Sequence, residues 1–368
     1  MKQSETVKEI LSRLERVHPN LYHSVEKNVV LDFIDKVDWN NLDGLQFDKN
    51  MLKFFALFKD AHTSYCNIKY KFIERPFFYN LGKIYKKEDG VIYEIKSING
   101  FSTEEVIDRF DKLINYEVVE RRNAQLDREV LWNGYYFQFA EITSEEGFDY
   151  IYIDENGNEV RTRNNFISQE EFFRRNPPKR SQSNYEYKII NGNILYLIYR
   201  KCSNQEGYSF QQFIEDMKHD INLDNIEGYI LDLRGNNGGD SRVLLPFEDF
   251  VIDNGLQGVV LTDNKTFSSA VLATASFKKL GAILVGENPA MRTYHYGDSP
   301  RHNINGVVFS CCTKCFDDSL KFGYSGPIKT DVYVEKTIKD YRNNTDSQLD
   351  KAIDVVSQII SEREGFDE

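Results

Sequence analysis

The chain has 368 residues, 40% of them apolar and 14% aromatic, enough to bury a sizeable core in two or three lobes. A formal net charge of −12 argues against a basic face that would grip phosphate backbones or anionic lipid, so neither nucleic acid nor a membrane is expected as a partner. Five cysteines at low density predict reduced thiols rather than a disulfide framework.

The opening stretch MKQSETVKEILSRLERVHPN lacks the continuous apolar run of a secretory signal, and no later run approaches the length of a membrane span. A cytoplasmic location is the expectation. Val7, Ile10, Leu11, Leu14 and Val17 fall at helical spacing before HPN breaks the pattern. Residues 28–36 and 49–59 continue in the same manner, and MLKFFALFKDAH is apolar enough to pack its helix into a core. These segments predict an N-terminal helical lobe over 1–67.

From 68 onward the runs become short, aromatic and β-branched, with KKEDG supplying a turn and SING ending a strand. STEEVIDRF then offers Ser102 as N-cap with Glu105 three residues on, a capping box that opens a helix. FDYIYIDENGNEVRTR alternates on both sides of a hairpin turn at ENGN. Residues 68–175 thus read as a small α+β middle region. The basic, proline-containing RRNPPKRSQSN at 174–184 reads as the linker into the last domain, 176–368.

That domain follows a different pattern. NILYLIYR, GYILDLR, GVVLTD and GAILVGE are short apolar runs separated by helix-length segments, an alternation that predicts an α/β fold with a largely parallel sheet. In such sheets, sites form beyond the carboxyl ends of the strands. The stretch GNNGGDS lies at one such end, where free N–H groups meet a helix start. After the next strand, Ser268 and Ser269 stand at the mouth of another helix. A serine in that place ordinarily caps the helix, whereas a nucleophilic hydroxyl beside unpaired N–H groups is what acyl transfer needs.

A general base must then reach the hydroxyl. Among six histidines, His62 stands out at the end of MLKFFALFKDAH, although a lone histidine there is more often a helix-terminal charge or a surface residue. Cys311, Cys312 and Cys315 contain a C-x-x-C, but no second pair completes a zinc site, and no metal or other cofactor is expected.

GYILDLRGNNGG, DNKTFSSAVLATASFKKLGAILVGEN, YHYGD and TDVYVEKTIKDYRNNTDSQLDKAI, taken in order, resemble peptidase family S41, the C-terminal processing and tricorn-type serine proteases. HPNLY and LFKDAHTSY resemble the helical segments of its non-processing branch. The resemblance implies a crotonase/ClpP-like catalytic domain and a peptide or protein substrate. It implies Ser268 as the nucleophile, His62 as the base, and an oxyanion hole from Gly238 or Gly239 together with Ser269. Where processing enzymes carry a lysine for a Ser–Lys dyad, GENPAMRTYHYGD offers Arg292, which cannot serve as a base. LKFGYSGPIKTDV lacks the glutamate of tricorn-like members, which leaves the group orienting His62 open, and no PDZ module is recognisable. An S41-like module that binds peptides without cleaving them, and an esterase or amidase built on the same serine, are the alternatives. Oligomeric state is not legible.

Overall fold

A computed structural model describes residues 2–177 and 183–367 of the chain. It divides into two compact units, Met1–Pro178 with His295–Phe316, and Lys179–Tyr294 with Asp317–Glu368. The core of the expected linker, 178–182, lies outside the described residues.

The first unit begins with three helices, α1 (Gln3–Val17), α2 (Lys27–Lys36) and α3 (Gly44–Ala56). The face of α1 that is buried consists of Val7, Ile10, Leu11 and Leu14 together with Thr6, the stripe expected from the spacing. Strands β1 (Phe72–Ile73), β2 (Phe77–Asn80), β3 (Lys83–Glu88), β4 (Val91–Ile98) and β5 (Phe101–Ser102) follow. The β3–β4 turn is made by Asp89 and Gly90, both at positive φ, as KKEDG implied. Next come α4 (Thr103–Asp111), α5 (Val119–Arg128), α6 (Gly134–Phe139), β6 (Gly147–Ile153), β7 (Glu159–Ile167) and α7 (Gln169–Arg175). The Ser102–Glu105 capping box forms at the head of α4.

The strands of this unit make a seven-stranded sheet in the order β1-β7-β6-β4-β3-β2, with β5 on β4, and its pairings are antiparallel. The larger sheet of the protein is therefore antiparallel, and the largely parallel sheet expected for 176–368 is confined to the other unit. One core explains why the helical start and the middle region are not separate here. It runs from Val7 and Leu14 through Phe54 and Phe55 of α3 and Ile95 of β4 to Phe137 and Phe148, and takes in Ile304 and Phe309. Those last two lie on the hairpin Arg301–Ile304/Val307–Ser310, which belongs to this unit although it is distant in sequence.

The second unit contains β8 (Tyr185–Ile190), β9 (Ile194–Tyr199), α8 (Phe210–Asp220), β10 (Gly228–Asp232), α9 (Leu245–Asp253), β11 (Gln257–Thr262), α10 (Ser269–Lys279) and β12 (Ile283–Gly286). Its six-stranded sheet runs from the edge pair Val332–Tyr333 through β12, β11, β10 and β9 to β8. Every pairing is parallel except β8 with β9. All five residues of β10 are buried because helices cover both faces of the sheet. Ala352, Val356 and Ile360 of the C-terminal helix Ser347–Asp367 pack on one side, and Phe247 and Phe277 meet Tyr229 on the other. Among the described residues, no helix is long and apolar enough to cross a membrane.

Candidate active site

The second unit brings Gly238, Gly239, Ser268 and Ser269 together. β10 ends at Asp232, and the loop that follows is anchored by Arg234. Its guanidinium donates to both Asp232 oxygens and to both oxygens of Asp346, while Tyr196 donates to Asp232 at 2.7 Å. Burial would weaken the Arg234 charge, but these carboxylates raise its pKa. Beyond Arg234, Asn236 is fully buried and joins three segments. Its Nδ2 donates to the Tyr199 carbonyl at 2.8 Å and its Oδ1 accepts the Gly238 N–H at 2.8 Å. Its own carbonyl accepts the Phe267 N–H at 2.9 Å, so the glycine loop is tied to the residue just before Ser268.

Both glycines are dictated by space. A Cβ on Gly238 (φ 93°) would stand 2.7 Å from Ser268 Cβ and from Ser269 N. A Cβ on Gly239 (φ 142°) would stand 2.1 Å from the Cys202 carbonyl oxygen. No other residue fits either place without displacing backbone.

Ser268 occupies the turn from β11 into α10 with φ 57° and ψ −128°. A residue with a Cβ held at positive φ costs on the order of 1–3 kcal/mol, and strained strand-to-helix turns of this sort present nucleophiles in other folds. Its hydroxyl does not cap α10, which removes the ordinary structural reason for a serine there. Its N–H donates to the buried thioether of Met291 at 2.9 Å, and the Ser269 hydroxyl donates to the Gly239 carbonyl at 2.6 Å. Gly238 N–H is already taken by Asn236, whereas among the described residues no acceptor faces the N–H of Gly239 or of Ser269, the first residue of α10. Arg292 is exposed.

His62 belongs to the first unit, and it does not end a helix. α3 stops at Ala56, Lys59 turns to positive φ, and His62 follows in an irregular loop. The reason is local. The Asp60 carboxylate accepts the His62 N–H at 3.0 Å, a side-chain turn that competes with helix continuation. Buried Asn115 clamps the same loop, taking the Asp60 N–H at 3.0 Å and donating to the Asp60 and Thr63 carbonyls. Ser310 donates to the His62 carbonyl at 2.6 Å, and Cys312 N–H donates to the Thr63 hydroxyl at 3.1 Å, which stitches this loop to the hairpin segment.

Burial pushes the His62 imidazole down to about 4, with Asp60 opposing the fall and Arg121 and His295 adding to it. The backbone of Tyr296 is a hydrogen-bond neighbour of the ring. Burial would raise Asp60, but its bond from His18, the His62 charge and its contacts to Thr63 and Cys312 win and hold it below the usual range. Cys311 and Cys312 are buried and Cys315 is exposed, so the C-x-x-C does not converge on one point.

Asp60, Asn115, Asn236 and Met291 were not singled out in the sequence. Only Asp60 had a signal there, as the acid two places before the histidine in DAHT, an Asx-turn spacing.

Residues 193–258, spanning β9 to the start of β11, match the family model of peptidase family S41. Among solved structures, mature CPAF in complex with lactacystin is similar with a TM-score of 0.70 at 11% identity, over 98% of this chain and 99% of that one. A second structure of mature CPAF gives a TM-score of 0.65 at 11% identity, over 98% of each chain. A candidate peptidase from Parabacteroides merdae gives 0.52 at 12% identity, over 97% of each. No curated protein matches the sequence.

Proposed function

We propose that the chain is a serine-type peptidase of family S41, whose model matches residues 193–258, and that it hydrolyses peptide bonds through an acyl-enzyme on Ser268. The observation that carries this reading is Ser268 itself, a hydroxyl not used as a helix cap, on a strained turn against a glycine loop. His62 is the general base. With a pKa near 4 it is neutral at pH 7 and free to accept the hydroxyl proton. The Ser268 Oγ attacks the substrate carbonyl carbon, His62 takes the proton and returns it to the leaving amine, and water then releases the acyl group by the same steps in reverse order.

The tetrahedral oxyanion is held by two N–H groups, those of Gly239 and Ser269. Gly238 N–H is committed to Asn236, so Gly239 is the donor the loop supplies, and Gly238 is glycine to let the loop close on the nucleophile. The Ser269 N–H adds the favourable dipole of the α10 N-terminus. In this reading the anchored loop carries the imidazole, with the Tyr296 main chain beside it, in place of the glutamate that LKFGYSGPIKTDV lacks.

The substrate class is peptide or unfolded protein. Hydrolysis of unfolded casein and of a peptide library by wild type, Ser268→Ala and His62→Ala is the test. Loss of cleavage in both variants supports the reading, and cleavage that survives Ser268→Ala rejects it. Lactacystin, held by CPAF in its solved complex, serves as a competing ligand in the same assay.

A further inference from the structure

We propose that His18 and Cys312 are positioning residues that act through Asp60 to fix the main chain at His62; this rests on the reading of His62 as the base. The three groups come from opposite parts of the sequence and meet inside the first unit. Asp60 is 1% exposed, His18 6% and Cys312 0%. Asp60 Oδ2 accepts His18 Nε2–H at 2.9 Å and the Cys312 thiol at 3.1 Å, while Oδ1 accepts the His62 N–H at 3.0 Å. A buried carboxylate with donors on both oxygens is rigid, because turning it to release one donor strands the others away from water.

The protonation of the cluster follows from its outer partners. Asn20 N–H donates to His18 Nδ1 at 3.0 Å, so that nitrogen carries no proton and the proton sits on Nε2, facing Asp60. Burial and the adjacent Asp60 charge keep Cys312 a thiol, able to donate. The same three side chains place a nitrogen, an oxygen and a sulfur within 4.8 Å of one another, as a metal site would. A metal needs Nε2 and the sulfur bare, and a ligating histidine uses its other nitrogen as a donor. Here that other nitrogen faces an N–H, so the cluster is built for protons. The HPN that ends α1 thereby acquires a role, and a second path leads the same way. The Tyr296 ring packs on His18 at 4.7 Å between centroids, and the Tyr296 backbone neighbours the His62 imidazole.

The test uses the full chain and paired variants. His18→Leu and Cys312→Ala remove the donors, whereas His18→Gln and Cys312→Ser keep one. Three readouts are taken, namely kcat and KM on a peptide, the rate of fluorophosphonate labelling, and hydrogen exchange at the amides of residues 60–64. The expected result is a loss of about tenfold or more in kcat for the donor-removing variants with KM nearly unchanged, faster exchange at the His62 amide, and recovery of most of the loss in the donor-keeping pair. Wild-type kcat and exchange in His18→Leu and Cys312→Ala overturn the proposal while serine-dependent labelling leaves the peptidase reading standing. Equal losses in both members of each pair, or stoichiometric zinc binding abolished by Cys312→Ala, overturn it as well. Labelling of wild type that does not depend on Ser268 identifies the failure as that of the peptidase reading, and the proposal falls with it.

Discussion

The Ser269 hydroxyl donates to the Gly239 carbonyl at 2.6 Å, closing the turn that carries Ser268 onto the glycine loop. Together with the Phe267–Asn236 bond, it holds the loop from both sides of Ser268. Ser269→Ala removes this tie and keeps the backbone N–H, so stability falls by about 1 kcal/mol and labelling slows without vanishing. Urea unfolding and labelling kinetics on the same preparation check both halves. Labelling abolished in Ser269→Ala and intact in Ser268→Ala would reverse the assignment of the two serines.

Strain at Ser268 separates function from stability. Glycine adopts φ 57° freely, whereas alanine inherits the strain of serine. Ser268→Gly is expected to be inactive yet more stable than Ser268→Ala by about 1 kcal/mol, as read from denaturant midpoints at constant slope.

The two loop glycines fail differently. A methyl on Gly239 meets the Cys202 carbonyl oxygen, so Gly239→Ala costs several kcal/mol, on the order of 3, or prevents folding. A methyl on Gly238 meets the nucleophile's own turn, so Gly238→Ala lowers kcat by about a hundredfold or more. Thermal unfolding beside peptide kinetics distinguishes the two.

Arg234 holds the stem of the loop between Asp232 and Asp346. Arg234→Met leaves a buried carboxylate without its cation and is expected to destabilise by about 3 kcal/mol. The check is a urea titration, with the second unit's signals followed separately by hydrogen exchange.

The depressed His62 pKa sets two pH dependences. The base is neutral above its pKa, so kcat/KM falls as pH drops through about 4, well below the 6.5 of an ordinary histidine. Between 6.5 and about 4 the unfolded chain binds a proton at His62 that the folded chain refuses, so the stability contributed by this group is full above 6.5 and is lost across that window as pH falls. Asp60, held low by its donors, adds stability that is lost at still lower pH. His62→Ala, compared with wild type by denaturation at several pH values, should flatten the first of these slopes.

Periodic local signals were legible where local chemistry decides. The apolar stripe of α1, the capping box at Ser102, the turn at Asp89–Gly90 and the strand–helix alternation of the second unit were all readable, because each is fixed by residues close in sequence. Long-range pairing was not. Nothing in the runs between 68 and 167 says that they form one antiparallel sheet sharing a core with α1 and α3, or that Phe309 joins it. The candidate site shows the same division. Ser268, Gly238 and Gly239 stood out by residue type and position. The partners that shape them, Asn236 and Met291, and those of His62, Asp60 and Asn115, are ordinary residues until folding brings them into hydrogen-bond reach.

The most direct measurement is mass-spectrometric mapping of the fluorophosphonate adduct on wild type, Ser268→Ala and His62→Ala. The expected result is a single adduct on Ser268 in wild type, none in Ser268→Ala, and labelling slowed by about a thousandfold or more in His62→Ala. An adduct on another residue, or Ser268 labelling at the wild-type rate without His62, would contradict the account.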